Sequence, residues 1–218
     1  MIFFDLDGPI LDVSRKYYRV YSTVVRELNG IPLTQDCYWQ RKRERDQDTA
    51  ILRDSQVPES KLQEFRDRRR ALIETADYWQ YDTAWPEVQA VLTGLPQPPP
   101  IVVVTLRNQP HALHAELRAL GLDRLFAKVL SVSGDAGHGD RHEAKVALVR
   151  DQFGRLRDGW FVGDTETDLR AGEALGLARL AVTFGIRTEA LLQRENPNFI
   201  ARSPAELAHW LAEQALCT

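Results

Sequence analysis

Cysteine is scarce in this sequence: Cys37 and Cys217 are the only two in 218 residues. They have no metal-ligand spacing, and a disulfide framework needs a denser set, so both read as incidental thiols in a reducing compartment. Also missing is any stretch approaching the about 20 consecutive apolar residues of a membrane-crossing helix. Met1-Ile2-Phe3-Phe4 runs straight into acidic residues, without the basic segment and apolar segment of a secretion signal. A cytoplasmic protein with no membrane partner is expected. An excess of one charge is lacking too: 28 Lys and Arg face 31 Asp and Glu, for a formal net charge of -3. That balance gives no reason to expect nucleic acid as a partner. There is no internal repeat, and no low-complexity tract beyond Pro98-Pro99-Pro100, which reads as a stiff lead into the segment after it. His138 and His142 are too sparse for a transition-metal site and read as loop residues.

What is present is a chain with 44% hydrophobic and 27% charged residues, enough to bury one good core and a second small one. Four short apolar runs, Ile2 to Leu6, Ile101 to Leu106, Val129 to Val132 and Trp160 to Val162, have strand length without strict alternation. Leu180 to Phe184 is a fifth. Such runs suit strands buried on both faces of a parallel sheet. Helical patterns lie between them, at His111 to Leu120 and Leu169 to Leu175, so the expected fold is α/β, a doubly wound, Rossmann-like parallel sheet. The alternation fails between the first and second strands. There Tyr17, Val20, Tyr21, Val24 and Leu28 make an apolar stripe at helical spacing, ended by Asn29-Gly30-Ile31-Pro32. Further helices are expected around Asp36 to Leu52, from Pro58 to Thr75 and from Pro86 to Leu95. The organisation read from this is an α/β core formed by residues 1–11 and 83–218, with residues 12–82 inserted as a helical domain.

Asp5 and Asp7, followed by Gly8, stand at the carboxyl end of the first strand, the edge where ligands bind in such sheets. Two carboxylates so close repel each other unless Mg²⁺ or a positive side chain offsets them. Taken alone, Asp5-Leu6-Asp7-Gly8 reads equally well as a polar turn. Three further strand ends add weight. Thr105 closes its run, where its hydroxyl and the following N–H groups can bind a phosphate oxygen. Lys145 stands in a helical pattern after the third strand, a point cation. Gly163-Asp164-Thr165-Glu166-Thr167-Asp168 puts two more acids at the fourth.

This ordered set resembles the four motifs of the haloacid dehalogenase-like superfamily of hydrolases, and the resemblance spans essentially the whole chain. Phe4-Asp5-Leu6-Asp7-Gly8 is similar to the first motif, Val103-Val104-Thr105 to the second, Lys145 to the third, and Val162-Gly163-Asp164 through Asp168 to the fourth. The helical insertion is similar to the cap of the subgroup containing phosphoglycolate phosphatases and β-phosphoglucomutases. Val182-Thr183-Phe184-Gly185 and Ser203-Pro204-Ala205-Glu206-Leu207 look like that subgroup's last strand and terminal helix. The resemblance implies a Mg²⁺-dependent phosphatase acting on a small phosphorylated metabolite. Asp5 would be the nucleophile that forms an aspartyl-phosphate, and Asp7 the general acid and then base. The cation would be held by Asp5, the Asp7 backbone carbonyl and Asp164, with Asp168 a ligand or a supporting acid. Thr105 and Lys145 would bind phosphoryl oxygens. Asp7 separates the chain from dehalogenases and phosphonatases, which have no ester oxygen to protonate.

The sequence also departs from the family pattern. Pro9 stands where threonine is common, and Leu106 where asparagine is common, so substrate contacts are expected from the backbone at Leu106 and from Arg107 or Asn108. Lys145 lacks the prolines that often follow the third-motif lysine; Lys128 is its competitor, although it falls before or within the third strand. β-Phosphoglucomutases carry a cap histidine at the place of Tyr17, which weighs against mutase chemistry. The inserted domain is rich in arginine, at Arg41-Lys42-Arg43-Glu44-Arg45 and Arg66-Asp67-Arg68-Arg69-Arg70. Interspersed acids favour a solvated surface, while the sharper reading has Lys42, Arg43 or Arg45 bind a second anionic group of the substrate. Tyr38 and Trp39 read as core first and pocket second. A phosphorylation-controlled receiver domain is excluded by motif order. A degenerate, partner-binding relative is disfavoured because Asp5, Asp7 and Asp164 are all present. A monomer or homodimer is expected.

Overall fold

The computed structural model describes residues 1–94, 99–132 and 140–216; Pro98, His138 and Cys217 lie outside them. The chain opens with β1 (Ile2–Phe4) and the short β2 (Leu11–Asp12), then runs through α1 (Ser14–Glu27), α2 (Gln35–Arg43), α3 (Asp48–Asp54), a 3₁₀ turn at Glu59–Lys61, α4 (Leu62–Leu72) and α5 (Ala76–Trp79). After β3 (Thr83–Ala84) and α6 (Pro86–Gly94), strands and helices alternate: β4 (Ile101–Thr105), α7 (Pro110–Ala119), β5 (Lys128–Ser131), α8 (Arg141–Phe153), β6 (Trp160–Gly163), α9 (Glu166–Leu175), β7 (Ala178–Val182), α10 (Glu189–Gln193), β8 (Phe199–Ala201) and α11 (Pro204–Leu216). The chain divides into two compact units, one of Met1–Asp12 with Ala84–Thr218, the other of Val13–Thr83. Among the described residues, no helix is long and apolar enough to cross a membrane.

The first unit is built on a six-stranded sheet of order β5-β4-β1-β6-β7-β8, parallel throughout. Every residue of β1 and β4 is buried, which explains why these runs do not alternate: helices cover both faces, so both sides of the strand must be apolar. Phe3, Val102, Val104 and Phe161 pack with Val146 and Val149 of α8 and Ala171 of α9. Helix ends follow local chemistry. Pro110 opens α7 in the first turn, where its missing N–H costs nothing. Thr165 and Asp168 form a reciprocal capping box at the start of α9. The strand order turns back at β1, with β4 and β5 on one side and β6, β7 and β8 on the other. That is the switch point at which the carboxyl ends of neighbouring strands open a crevice.

Two strand expectations change. The run read as Leu180 to Phe184 lies earlier, at Ala178–Val182, and the sheet continues past it with β8. Phe199–Ala201 is three residues long and only its last residue is buried, too short for any periodicity to register. Lys128 starts β5 on the exposed surface, and its amine reaches Gln152.

In the second unit the apolar stripe of α1 packs on its own core: Val20, Tyr21, Val24 and Val25 meet Tyr38, Ile51, Leu52, Val57 and Phe65. Tyr21 and Tyr38 stack at 4.0 Å between ring centroids, and the Tyr21 hydroxyl bonds to the Ser55 hydroxyl at 2.6 Å while accepting from the Leu33 N–H. Tyr38 is therefore core. α1 ends through Asn29, at φ 62, the left-handed position that stops helices. The single helix expected around Asp36 to Leu52 is two, broken where Arg45 adopts φ 65. Arg41 bridges that break, pairing with Asp46 and Asp54. The helix expected from Pro58 begins at Leu62, after the 3₁₀ turn.

Candidate active site

Asp5 is the first residue past β1, and its backbone N–H still bonds to the Val162 carbonyl at 2.9 Å. Sheet pairing therefore holds the nucleophile candidate against β6, whose end carries Gly163 and Asp164. Lys145, from α8, reaches the same point. Its Nζ lies 2.8 Å from Asp5 Oδ1 and 2.6 Å from Asp168 Oδ1, and the residue is buried. The other Asp168 oxygen accepts from the Thr165 N–H at 3.0 Å and hydroxyl at 2.7 Å. Asp168 is thus held on both sides, by the lysine and by the start of its own helix. Lys145, not Lys128, is the lysine beside the carboxylates.

Asp164 differs. One of its oxygens accepts from the Ile186 N–H; the other, Oδ1, is buried without a hydrogen-bond partner. An orphaned buried carboxylate oxygen is costly in a folded protein. Carboxylate oxygens of Asp5, Asp164 and Asp168 lie within 4.8 Å of one another, three acids against one ammonium. An all-oxygen, net-negative donor set with an unpartnered oxygen fits a hard divalent cation such as Mg²⁺. Two glycines give the site its room. A Cβ on Gly8, at φ +109, would fall 2.0 Å from Asp164 Oδ2, and one on Gly185 2.2 Å from it. Any side chain at either position would fill the space the carboxylate occupies.

The electrostatics follow from burial. Desolvation raises the Asp5 carboxyl to about 7; Lys145 opposes the rise, and Asp168 and Asp7 add to it. Asp164 is likewise raised well above the ordinary carboxylate range, by burial first and then by Asp168 and Asp5. For Lys145 burial works downward but is outweighed by Asp168 and Asp5, leaving it raised to about 12. The ammonium is secure, while two of the carboxyls lack enough positive charge.

Thr105 closes β4 and is buried, its Oγ1 accepting from the Arg107 N–H at 3.3 Å. Leu106 is half-buried between them. Arg107 has an engagement that its expected role as a substrate contact does not include: its guanidinium lies on Asp7, Nε to Oδ2 at 3.2 Å with Nη2 on Oδ1, and also on Glu116 of α7. The Asp7 side chain therefore faces Arg107, outside the group of carboxylates that lie within 4.8 Å of one another. Glu116 was not anticipated as part of the site. Its signal is weak, an acid three residues after Leu113 and one before Leu117, on a face where all three are buried.

Lys42 and Arg45 belong to the second unit. Lys42 Nζ lies 5.4 Å from the centre of the Tyr17 ring, and Trp39 meets the same ring edge-on at 6.2 Å. Most neighbouring arginines are in ion pairs: Arg66 and Arg69 with Asp48, and Arg68 with Glu27. Glu64 pairs with Lys61. His142 lies in the first turn of α8, where its N–H bonds to the capping Asp140, and Cys37 is exposed.

Comparison with known proteins agrees with this geometry. A family model described as haloacid dehalogenase-like hydrolase matches residues 1–176. Over 125 residues the chain is 27% identical to a phosphoglycolate phosphatase of Haemophilus influenzae, a match covering 56% of this chain and 55% of that enzyme. The chain thus spans about half the length of that curated relative. Among solved structures, a haloacid dehalogenase-like family hydrolase from Streptococcus pneumoniae superposes with a TM-score of 0.76 at 19% identity, covering 96% of both chains. A predicted phosphoglycolate phosphatase from Haemophilus somnus gives 0.72 at 20% identity, again covering 96% of each. At such identities the likeness is one of fold. The six-stranded parallel sheet, the carboxylates gathered at its switch point and the match over residues 1–176 lead to one assignment: the chain belongs to the haloacid dehalogenase-like hydrolase family.

Proposed function

We propose that this chain is a Mg²⁺-dependent phosphatase that hydrolyses a small phosphate monoester through an aspartyl-phosphate on Asp5. The observation that carries this reading is the Asp5 carboxylate 2.8 Å from the Lys145 ammonium, beside an Asp164 oxygen that lacks a partner. Asp5 would attack phosphorus, with the leaving oxygen departing opposite. Lys145 and the Thr105 hydroxyl would hold phosphoryl oxygens, and Lys145 would keep Asp5 ionised against the burial that raises its pKa. Asp7 would give its proton to the leaving oxygen and then take one from the water that opens the aspartyl-phosphate. Asp5, Asp164 and the Asp7 backbone carbonyl would hold Mg²⁺, with Asp168 orienting Lys145; the cation would supply positive charge where the phosphoryl oxygens gather it.

In this reading the unit of Val13–Thr83 acts as the cap that chooses the ester, with Lys42 and Arg45 as candidate contacts to a second anionic group. Phosphoglycolate is the first ester to try, since a curated relative is named for it. A β-phosphoglucomutase type of reaction is the second reading; Tyr17 in the place of the mutase histidine favours water as the final acceptor. A cytoplasmic setting and a monomeric or homodimeric state belong to the same proposal.

The test is a panel of glycolate, sugar and nucleotide phosphates assayed with Mg²⁺, comparing wild type with Asp5→Asn. At least one ester should release phosphate, and the substitution should lower that rate about 10³-fold or more. Release from no ester above the Asp5→Asn background would overturn the proposal.

A further inference from the structure

Arg107 stands two residues beyond β4, on the chain's turn toward α7, and is 5% exposed. Its guanidinium spans both oxygens of Asp7, Nε on Oδ2 and Nη2 on Oδ1. A planar fork on a planar carboxylate fixes direction as well as distance, which a lysine at the same place cannot do. The remaining Nη1 meets Oε2 of Glu116. Glu116 is fully buried, and its Oε1 has no hydrogen-bond partner.

A buried carboxylate with one oxygen unsatisfied is a poor device for stability. On the same buried face as Leu113 and Leu117, a leucine would pack without that cost. What the carboxylate does, and an apolar residue cannot, is hold the guanidinium by its third edge. Asp7 lies beyond the end of β1, and its side chain is 17% exposed, so the direction of its carboxylate is set by the groups it meets there, of which the Arg107 fork is the directional one.

We propose that Arg107 and Glu116 are positioning residues for the acid–base carboxylate: Glu116 sets the plane of Arg107, and Arg107 aims Asp7 while keeping it apart from the carboxylates of Asp5, Asp164 and Asp168. This inference rests on the phosphatase reading, in which Asp7 handles the proton of the leaving oxygen. The division of labour is geometric. Three acids lie within 4.8 Å of one another, and the fourth is turned toward an arginine.

The test compares kcat/KM for an alkyl phosphate, whose leaving oxygen needs a proton, with that for 4-nitrophenyl phosphate, whose leaving oxygen does not. Arg107→Ala should lower the first about 10²-fold and the second less than about fivefold, the pattern expected of a misaimed general acid. Asp7→Asn provides the reference for that pattern. Added guanidinium ion should restore part of the alkyl-phosphate rate. Arg107→Lys, which keeps the charge and loses the fork, should show the same bias more weakly and replaces Arg107→Ala if that variant fails to fold. Glu116→Gln should show the bias at about tenfold. Equal losses on both esters, or a loss confined to KM, would overturn the inference and make Arg107 a phosphate contact. Wild-type protein inactive on both esters would overturn the phosphatase reading and this inference with it; an active wild type with unbiased variants overturns this inference alone.

Discussion

In the first unit Asp5, Arg107, Glu116, Lys145, Asp164, Glu166 and Asp168 are all buried, most of them around the crevice at the end of β1. The second unit carries its arginines and acids mostly outside, as pairs such as Arg68 with Glu27 and Arg66 with Asp48. Lys16 and Asp82 form a buried ion pair within it, which ties the beginning of the unit to its end. Water screens the outer pairs, so each contributes little. Burial removes that screening, and each acid in the first unit then depends on a particular neighbour. Two adjacent stretches of one chain therefore use the same residue types to opposite ends. One set keeps a helical surface solvated, and the other stores an excess of buried negative charge of the kind a divalent cation can offset.

The sharpest way to break this comparison is at Asp164. Asp164→Asn should lower Mg²⁺-supported phosphate release about 10³-fold, yet leave the melting temperature in EDTA unchanged or raised, since it removes a buried charge whose Oδ1 has no partner. A fall in the metal-free melting temperature would instead make the carboxylate a structural group. The wild-type protein sharpens the same point through pH. Because the folded pKa of Asp5 is raised to about 7 from an ordinary 3.8, its contribution to metal-free stability is complete below about 3.8 and is lost as pH rises through about 7. A cation that displaces the proton restores it. The increase in melting temperature on adding Mg²⁺ should therefore grow between pH 5.5 and 8; a constant or shrinking increase would count against Asp5 as a ligand.

In the second unit the large effects should be apolar. Phe65 is 2% exposed and meets the Tyr21 ring edge-on, so Phe65→Ala should cost about 3 kcal/mol in urea denaturation. Arg66→Ala, which removes a partly exposed pair with Asp48, should change stability by less than about 1 kcal/mol in the same measurement. If the arginine mattered as much as the phenylalanine, the contrast between solvated and buried charge would fail.

Parts of this organisation were legible because they are local. A run buried on both faces has no alternation, and a strand that ends in acid or threonine announces its end, so β1, β4 and β6 could be read with Asp5, Thr105 and Asp164 at their tips. Asn29 after an apolar stripe marked the end of α1 for the same reason. β8 was not legible: three residues carry no period. Nor was the break at Arg45, which depends on a left-handed turn spanned by Arg41 rather than on proline or glycine.

The chemistry divides in the same way. By itself the sequence determined which groups are candidates for the site, since motif order and residue type single out Asp5, Asp7, Thr105, Lys145, Asp164 and Asp168. Only the tertiary structure decided how they are paired: Lys145 between Asp5 and Asp168, Asp164 with one oxygen unanswered, and Asp7 turned to an arginine 100 positions away along the chain. The physical reason is the sheet. Strand order brings β1, β4 and β6 side by side regardless of their distance in sequence, and burial then makes every charge at their ends answer to whichever partner the fold sets beside it.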